Sequence, residues 1–374
     1  MRNVLVSGAG VAGSVLAYWL TRNGFSVTVV ERSLDLRQGG QAVDVRGVAL
    51  EVMGRMGLGE QMRAARTRMR GMSMLDSDGN ELFRSEERTI SSGRLDSEDV
   101  ELLREDLTAM VYEATKHEVE YLFGDSITAL YQEKHGVRVE FERAGFRTFD
   151  FVVGADGSHS AVRRLAFGPE HEFVRHLGQY LAIFPAANFL ELDNWQMWIQ
   201  DRATGAGGGI YPVRDNTELR VTLGFVSEPV DYDHRDIEGQ KQMVADRLAG
   251  LRWEMPKLLA AMTGAPNFYF DAMAQIHMEN WSTGRIALVG DAGYCASVLS
   301  GQGTSLALVG AYILAQELGR NASHTAAFAA YEQRMRPFVA LNQALATENP
   351  GGPASEESIA HAKNSISLDA LTEA

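Results

Sequence analysis

The chain has 374 residues, 45% of them apolar and 22% charged. It can bury a large core, and at roughly 150 residues per domain it has room for two or three domains. Its 35 Lys and Arg against 49 Asp and Glu leave a net charge of −14, which argues against nucleic acid or an anionic membrane surface as the main partner. The single cysteine, Cys295, excludes an intrachain disulfide framework and a Cys-cluster zinc site, and fits a reducing cytoplasm.

No run of 18 apolar residues is present, so no membrane-spanning helix is expected. The start of the chain has the look of a signal peptide, but Gly8, Gly10 and Gly13 would break its apolar helix. Those glycines belong to another pattern. Val4 to Val6 reads as a buried strand, Gly8 to Gly13 as a G-x-G-x-x-G turn, Val15 to Leu20 as a helix ended by Gly24, and Ser26 to Val30 as a second strand finishing at Glu31. This is the order of a dinucleotide-binding unit. Gly8 permits the tight turn, Gly10 lets a pyrophosphate approach the backbone, and Gly13 lets helix and strand pack closely. The helix N-terminus offers free N–H groups to phosphates. Glu31 is placed to accept hydrogen bonds from ribose hydroxyls, and Arg32 to cover the adenine. NAD and FAD both use such a unit, and this stretch does not choose between them.

Further along, Val48 to Met56 and Glu60 to Met69 read as helices, and Met72 to Phe83 as a hairpin around Asp78-Gly79-Asn80. Glu105 to Lys116 reads as a helix. Val119 to Phe123, Ile127 to Tyr131 and Val137 to Phe141 read as short strands. Phe149 to Val153 is a buried strand leading into Gly154-Ala155-Asp156-Gly157-Ser158-His159-Ser160-Ala161-Val162-Arg163. Tyr180 to Phe184, Gln196 to Gln200, Gly209 to Tyr211, Leu219 to Phe225 and Phe268 to Ile276 read as strands, with helices over Arg235 to Leu251 and Glu254 to Met262. Gly284 to Val289 is an apolar strand entering Gly290-Asp291-Ala292-Gly293. Ser300-Gly301-Gln302-Gly303 then opens a helix from about Thr304 to Leu318, and Thr347 onward reads as a linker and a short tail.

The three motifs at 8–13, 154–163 and 290–291, in this order and wide spacing, resemble those of the group A flavoprotein monooxygenases, the para-hydroxybenzoate hydroxylase-like FAD enzymes. The resemblance covers most of residues 1–345. The phrases Arg37 to Asp44 and Gly301 to Ala307 are most similar to the actinobacterial and tetracycline-inactivating branch. The resemblance implies an α/β fold: a Rossmann-like FAD-binding domain of the glutathione reductase type over 1–171 and 277–345, an inserted β-sheet substrate domain over 172–276, C-terminal helices, and a tail over 346–374.

It also implies roles. Asp291 would bond the ribityl chain of FAD, Asp156 would serve the cofactor region and NAD(P)H use, and Arg104 would reach the FAD phosphates. Asp44 would lie beside the flavin, and Arg37 would touch NADPH. The helix opened by Gly301, Gln302 and Gly303 would favour negative charge on the reduced flavin. In the substrate domain Phe184, Trp198 and Tyr211 are candidate substrate contacts. No residue is assigned a catalytic role.

The implied activity is NADPH- or NADH-driven hydroxylation of an aromatic or polyketide-like small molecule by dioxygen, through a flavin C4a-hydroperoxide. Baeyer–Villiger oxygen insertion, dehydrogenation and a non-catalytic FAD-binding protein are the alternatives on the same fold. The Trp195 to Gln200 segment lacks the Trp-x-Trp-x-Ile-Pro signature of halogenases. No metal is expected, since the nine histidines form no ligand pattern. No nucleic-acid or membrane partner is expected, and the protein would be a cytoplasmic monomer or homodimer. One departure from the family stands out: Tyr294 holds a position usually taken by histidine, and Val298 one usually taken by proline. The loop Cys295 to Ser300 is therefore free to differ from that of relatives.

Overall fold

The computed structural model describes residues 2–349 and 352–369. Its first sheet is built on strand Asn3–Ser7, which is buried on both faces and pairs in parallel with Ser26–Glu31 and with Phe151–Gly154. Glu120–Phe123 extends it on one side and Ile286–Leu288 on the other, both parallel, with the antiparallel Ser282–Thr283 at the edge. A parallel sheet needs crossovers and cover on both faces. Helix Val11–Arg22 and the largely buried helix Gly303–Arg320 share one face, with Trp19 edge-on to Tyr312 at 4.9 Å. The other face carries a three-stranded antiparallel meander of Ile127–Glu133, Gly136–Phe141 and Phe146–Phe149.

The run expected as one strand from Phe149 to Val153 is broken at Asp150. Asn3 and Asp150 exchange side-chain-to-backbone hydrogen bonds of 2.7 and 2.9 Å, which ends the meander strand and starts the parallel one. The helix expected over Glu60 to Met69 stops at Ala64. Beyond it the Thr67 N–H bonds to Glu101 O and the Arg70 N–H to Asn194 O, pulling the chain into extended backbone.

The second sheet has seven strands, in the order Tyr269–Ile276, Val174–Ala187, Glu218–Val226, Ala206–Val213, Trp195–Asp201, Gly71–Leu75 and Glu81–Ser85. The hairpin Gly71 to Ser85 forms around its expected turn, but in this sheet rather than beside the first one. Gly71–Leu75 pairs in parallel with Trp195–Asp201. Helices Ile237–Leu248 and Met255–Gly264 cover one face and bury Phe184, Val221 and Leu223 beneath them. The opposite face is turned toward the first sheet.

At the end of the chain, helix His324–Glu348 packs on Gly303–Arg320. Helix Glu356–Lys363 is pinned by a 2.7 Å Lys363–Asp99 ion pair. Of the expected tail, 350–351 and 370–374 lie outside the described residues. Among the described residues no helix is long and apolar enough to cross a membrane.

Candidate active site

One cavity of about 2150 Å³ runs between the two sheets. Typical small-molecule sites hold ~300–1,000 Å³, so this one has room for more than a single ligand. At one end is the glycine turn. Gly10 caps helix Val11–Arg22 with no side-chain hydrogen bond and no acid in the first turn, so its leading N–H groups face the cavity unpaired. A Cβ on Gly10 would meet no protein atom within 4 Å and would project into the cavity, whereas one on Gly13 would fall 1.9 Å from Gly8 O. The two glycines thus do different things: Gly10 leaves the cradle open, and Gly13 lets the helix close on the strand.

Glu31, at the end of its strand, accepts from Ala9 N–H and Ser33 N–H, each at 2.9 Å, which fixes its carboxylate at the cavity wall. Arg32 and Arg37 are exposed at the rim, and Arg37 lies over the Tyr269 ring at 4.9 Å. Arg104 begins helix Arg104–Thr115 and rests against the Gly40 backbone. Its one protein acceptor is Arg37 O at 3.4 Å, and it forms no ion pair among the described residues. Burial, and then the nearby Arg37, push its pKa down. A half-buried guanidinium without a counter-ion is suited to a ligand phosphate.

At the middle of the cavity, Asp291 opens helix Asp291–Tyr294 and presents its carboxylate to the cavity, 4.0 Å from where a Gly303 Cβ would stand. It is open to the cavity, and desolvation between the cavity walls raises its pKa. Helix Gly303–Arg320 starts here without a side-chain cap or an acid in its first turn, so a second positive helix end faces the same space. Gly301 lines the cavity. Gln302 is wholly buried behind the wall, and neither atom of its carboxamide has a partner. Asp44 also lines the cavity, held by Arg46 at 2.9 Å.

Asp156 is used differently from the expectation. Its carboxylate accepts from Ser160 Oγ at 2.5 Å, Ala161 N–H at 2.9 Å, Val162 N–H at 3.1 Å and Ser7 Oγ at 3.3 Å. With those donors it serves as the N-terminal anchor of helix Ala161–Ala166, although its residue still borders the cavity. The more exposed polar side chain of this motif is His159, which carries no local sequence signal for a role. Its ring bonds Glu170 at 2.8 Å and Asp271 at 2.9 Å, and these two carboxylates raise its pKa to about 10. Glu170 lies 11 residues on, but Asp271 is 112 residues away and gives no local signal.

The second sheet supplies the far wall. Leu181, Ile183, Trp198, Tyr211 and Met273 line it, and Ile359 of the last helix closes it. The Tyr211 hydroxyl accepts from Ala42 N–H at 2.8 Å. Phe184 is not part of this wall. Strand residues alternate between faces, so Phe184 points with Ala182 into the helix-covered core and is fully buried there, while Leu181 and Ile183 take the cavity side. The departures noted at Tyr294 and Val298 also resolve. Tyr294 is buried and accepts from the Tyr331 hydroxyl at 2.9 Å. Val298 is 55% exposed on the cavity and starts a short 3₁₀ turn, Val298–Ser300, behind Ser297 at φ 73°.

A parallel sheet with two bare helix starts, an acid at the second strand end and an unpaired arginine, all on one elongated cavity, defines a dinucleotide-dependent oxidoreductase. The FAD binding domain family model matches residues 1–345, and the chain belongs to that family of FAD-dependent monooxygenases. It is 52% identical over 371 residues to the uncharacterised protein Rv1260 of Mycobacterium tuberculosis, covering 98% of this chain and 99% of that one. It is 40% identical over 344 residues to a flavin-dependent monooxygenase of Legionella longbeachae, covering 91% and 86%. The crystal structure of tetracycline destructase Tet(55) superimposes with a TM-score of 0.88 at 35% identity, over 99% of both chains.

Proposed function

We propose that this FAD-dependent monooxygenase uses NADPH or NADH and dioxygen to hydroxylate a polycyclic, phenol-bearing small molecule of the aromatic or polyketide type. The observation that carries this reading is the size and two-sided character of the cavity. One half is lined by glycine turns, Glu31 and Arg104, the other by Leu181, Ile183, Trp198 and Tyr211. The first half suits a dinucleotide, and the second suits a large, flat, mostly apolar molecule. The overall match to a tetracycline destructase supports the same substrate class.

In this reading Glu31 receives the adenosine ribose hydroxyls, and Arg104 with the Gly10 helix end receives the pyrophosphate. Asp291 receives the ribityl hydroxyls. When bound, FAD supplies the redox and oxygen chemistry. The chain's part is to hold, orient and dry the site. The Gly303 helix end stabilises negative charge near Asp291, the second sheet aligns the substrate, and Ile359 on the closing helix helps exclude water. Arg37, exposed at the rim over Tyr269, is placed to meet a nicotinamide donor entering from solvent.

The test is a screen of phenols and aromatic polyketides against the FAD-loaded protein, following NAD(P)H consumption and product mass together. A substrate that gains one oxygen atom per NAD(P)H consumed supports the proposal. Consumption with only peroxide as product across the panel removes it.

A further inference from the structure

Asp44 and Glu101 stand directly opposite each other on the antiparallel strands Ala42–Val45 and Val100–Leu103, so their side chains share one face. Both are buried, at 9% side-chain exposure for Asp44 and 6% residue exposure for Glu101. One cation serves them: Arg46 bonds Asp44 at 2.9 Å and reaches Ser91 O at 2.8 Å. Asp44 Oδ1, Glu101 Oε1 and Arg46 Nε have no partner. Two carboxylates and one guanidinium in a closed space leave one negative charge too many, and a proton is the cheapest way to remove it.

Among the described residues the surroundings offer no second cation to the pair. The Ser91 hydroxyl donates to Glu101 Oε2 at 3.1 Å and accepts from Gln196 Nε2 at 2.7 Å; the Trp198 indole N–H in turn donates to Gln196 at 3.0 Å. Ser92 lies beside Glu101 on the same hairpin, and Tyr211 faces the pair from the second sheet. On that sheet Arg220 is engaged by Glu105 at 3.0 Å. Asp99 adds a further negative charge, which Lys363 of the last helix neutralises at 2.7 Å. Ser305 on the Gly303 helix accepts from the Arg46 backbone N–H, and Gly301 lies against the Arg46 guanidinium, 3.8 Å away for a Cβ. The cluster is thus set against the second glycine turn, with Asp44 and Arg46 on the cavity wall and Glu101 behind them.

We propose that Asp44 and Glu101 share a single proton at neutral pH, with Arg46 as their fixed counter-ion, and that this pair is the acid–base group of the cavity wall. Burial and the adjacent Asp44 push Glu101 up to about 7, the range suited to proton exchange at neutral pH. When the proton has left, the pair carries two negative charges against one positive. Taking the proton of a ligand hydroxyl then leaves the pair balanced by Arg46 and moves the excess negative charge to the ligand oxygen. The ligand's O–H bond breaks, its electron pair stays on the ligand oxygen beside Arg46, and the new O–H forms on the pair.

The inference rests on the cavity being the FAD site, so the experiment is run on the protein both with and without FAD. Infrared difference spectra between pH 5.5 and 8.5 should show a neutral-carboxyl C=O band that disappears with a midpoint within about one unit of 7. The band should be missing in Glu101→Gln. In Asp44→Asn its midpoint should fall, because one like charge is gone and Arg46 turns to Glu101. Absence of the band in the parent, its survival in Glu101→Gln, or an unmoved midpoint in Asp44→Asn would overturn the shared proton. In the FAD-loaded parent, the visible flavin spectrum should shift with the same midpoint. A carboxyl titration that leaves that spectrum flat would remove the pair's role toward the cavity, while the apo spectra judge the shared proton independently of FAD.

Discussion

The His159 ring and the Asp271 carboxylate meet at 2.9 Å across the line where the two sheets face each other. His159 sits on the loop after strand Phe151–Gly154, and Asp271 on strand Tyr269–Ile276, where the Tyr269 hydroxyl also bonds it at 2.8 Å. The contact ties a loop at the edge of the first sheet to the seven-stranded sheet. It is also pH-dependent. The folded His159 pKa, about 10, is above the ordinary value of 6.5, so its stabilising effect is complete below about 6.5 and is lost as pH rises through 10. The ring is 42% exposed, which limits the effect to about 1 kcal/mol. His159→Gln should lower stability by that amount at pH 6, and the gap to the parent should close by pH 10.5 in denaturant titrations.

Glu101 should show the opposite consequence for the parent protein. Its pKa rises from 4.5 to about 7 on folding, so the fold suffers no penalty below about 4.5 and an increasing one as pH rises through 7. The penalty is at most about 3 kcal/mol. Glu101→Gln should therefore gain stability relative to the parent at pH 8 and not at pH 4.5. Equal shifts at both pH values in thermal unfolding of the FAD-free protein would contradict the burial argument.

Arg104→Ala should weaken FAD binding, since it removes a half-buried cavity guanidinium that has no ion pair among the described residues. Loss of a charge-assisted hydrogen bond costs about 1.5–3 kcal/mol, or roughly 10- to 150-fold in Kd. Flavin fluorescence titration measures it. A Kd unchanged from the parent would return Arg104 to a purely structural role against Gly40.

Asp291→Ala should also loosen FAD, and Asp291→Asn less so, because the amide oxygen still accepts a hydroxyl proton. Retention through gel filtration, read as the ratio of flavin to protein absorbance, separates the two. Identical retention in all three proteins would mean that the ribityl acceptor lies elsewhere.

Gly13→Ala places a Cβ 1.9 Å from Gly8 O, where only backbone movement relieves the clash. It should destabilise the FAD-free protein by about 1–3 kcal/mol. At Gly10 the added methyl enters open cavity instead, so Gly10→Ala should spare the apo fold and weaken FAD binding. Equal effects of the two substitutions on apo stability would show that the turn does not divide its labour in this way.

The parts of the fold that were legible in the sequence are those with a local signal. Strand Asn3–Ser7, its glycine turn and helix Val11–Arg22 are contiguous, and the Arg104–Thr115 and Gly303–Arg320 helices announce themselves by long periodic runs. The expectation for Phe184 failed because a period-2 strand does not reveal from one short run which face meets the cavity. The hairpin Gly71 to Ser85 was visible as a hairpin, but its partner strand, Trp195–Asp201, begins more than a hundred residues later. Glu101 and Arg46 escaped for the same reason. Their meaning comes from the register between two short strands, and that register is set by tertiary packing. Asp156 was found as a motif residue, yet its carboxylate went to helix donors that were already present four to six residues downstream.

That shared edge has a practical consequence for protein engineering. The seven-stranded sheet is completed by residues 71–85, so the stretch 172–276 is not a transplantable module. Cut out alone, it would expose the backbone edge of strand Trp195–Asp201, which is normally paired with Gly71–Leu75, and unpaired strand edges recruit other chains. Chimaeras with relatives would need at least four junctions, two around 71–85 and two around 172–276, and they would have to exchange Gly71, Trp195 and Ser73 together, because the Trp195 ring lies against Gly71 and its indole N–H bonds Ser73 Oγ at 3.0 Å. The seven-stranded wall of the cavity is therefore inherited in linked pieces from two distant stretches of the chain.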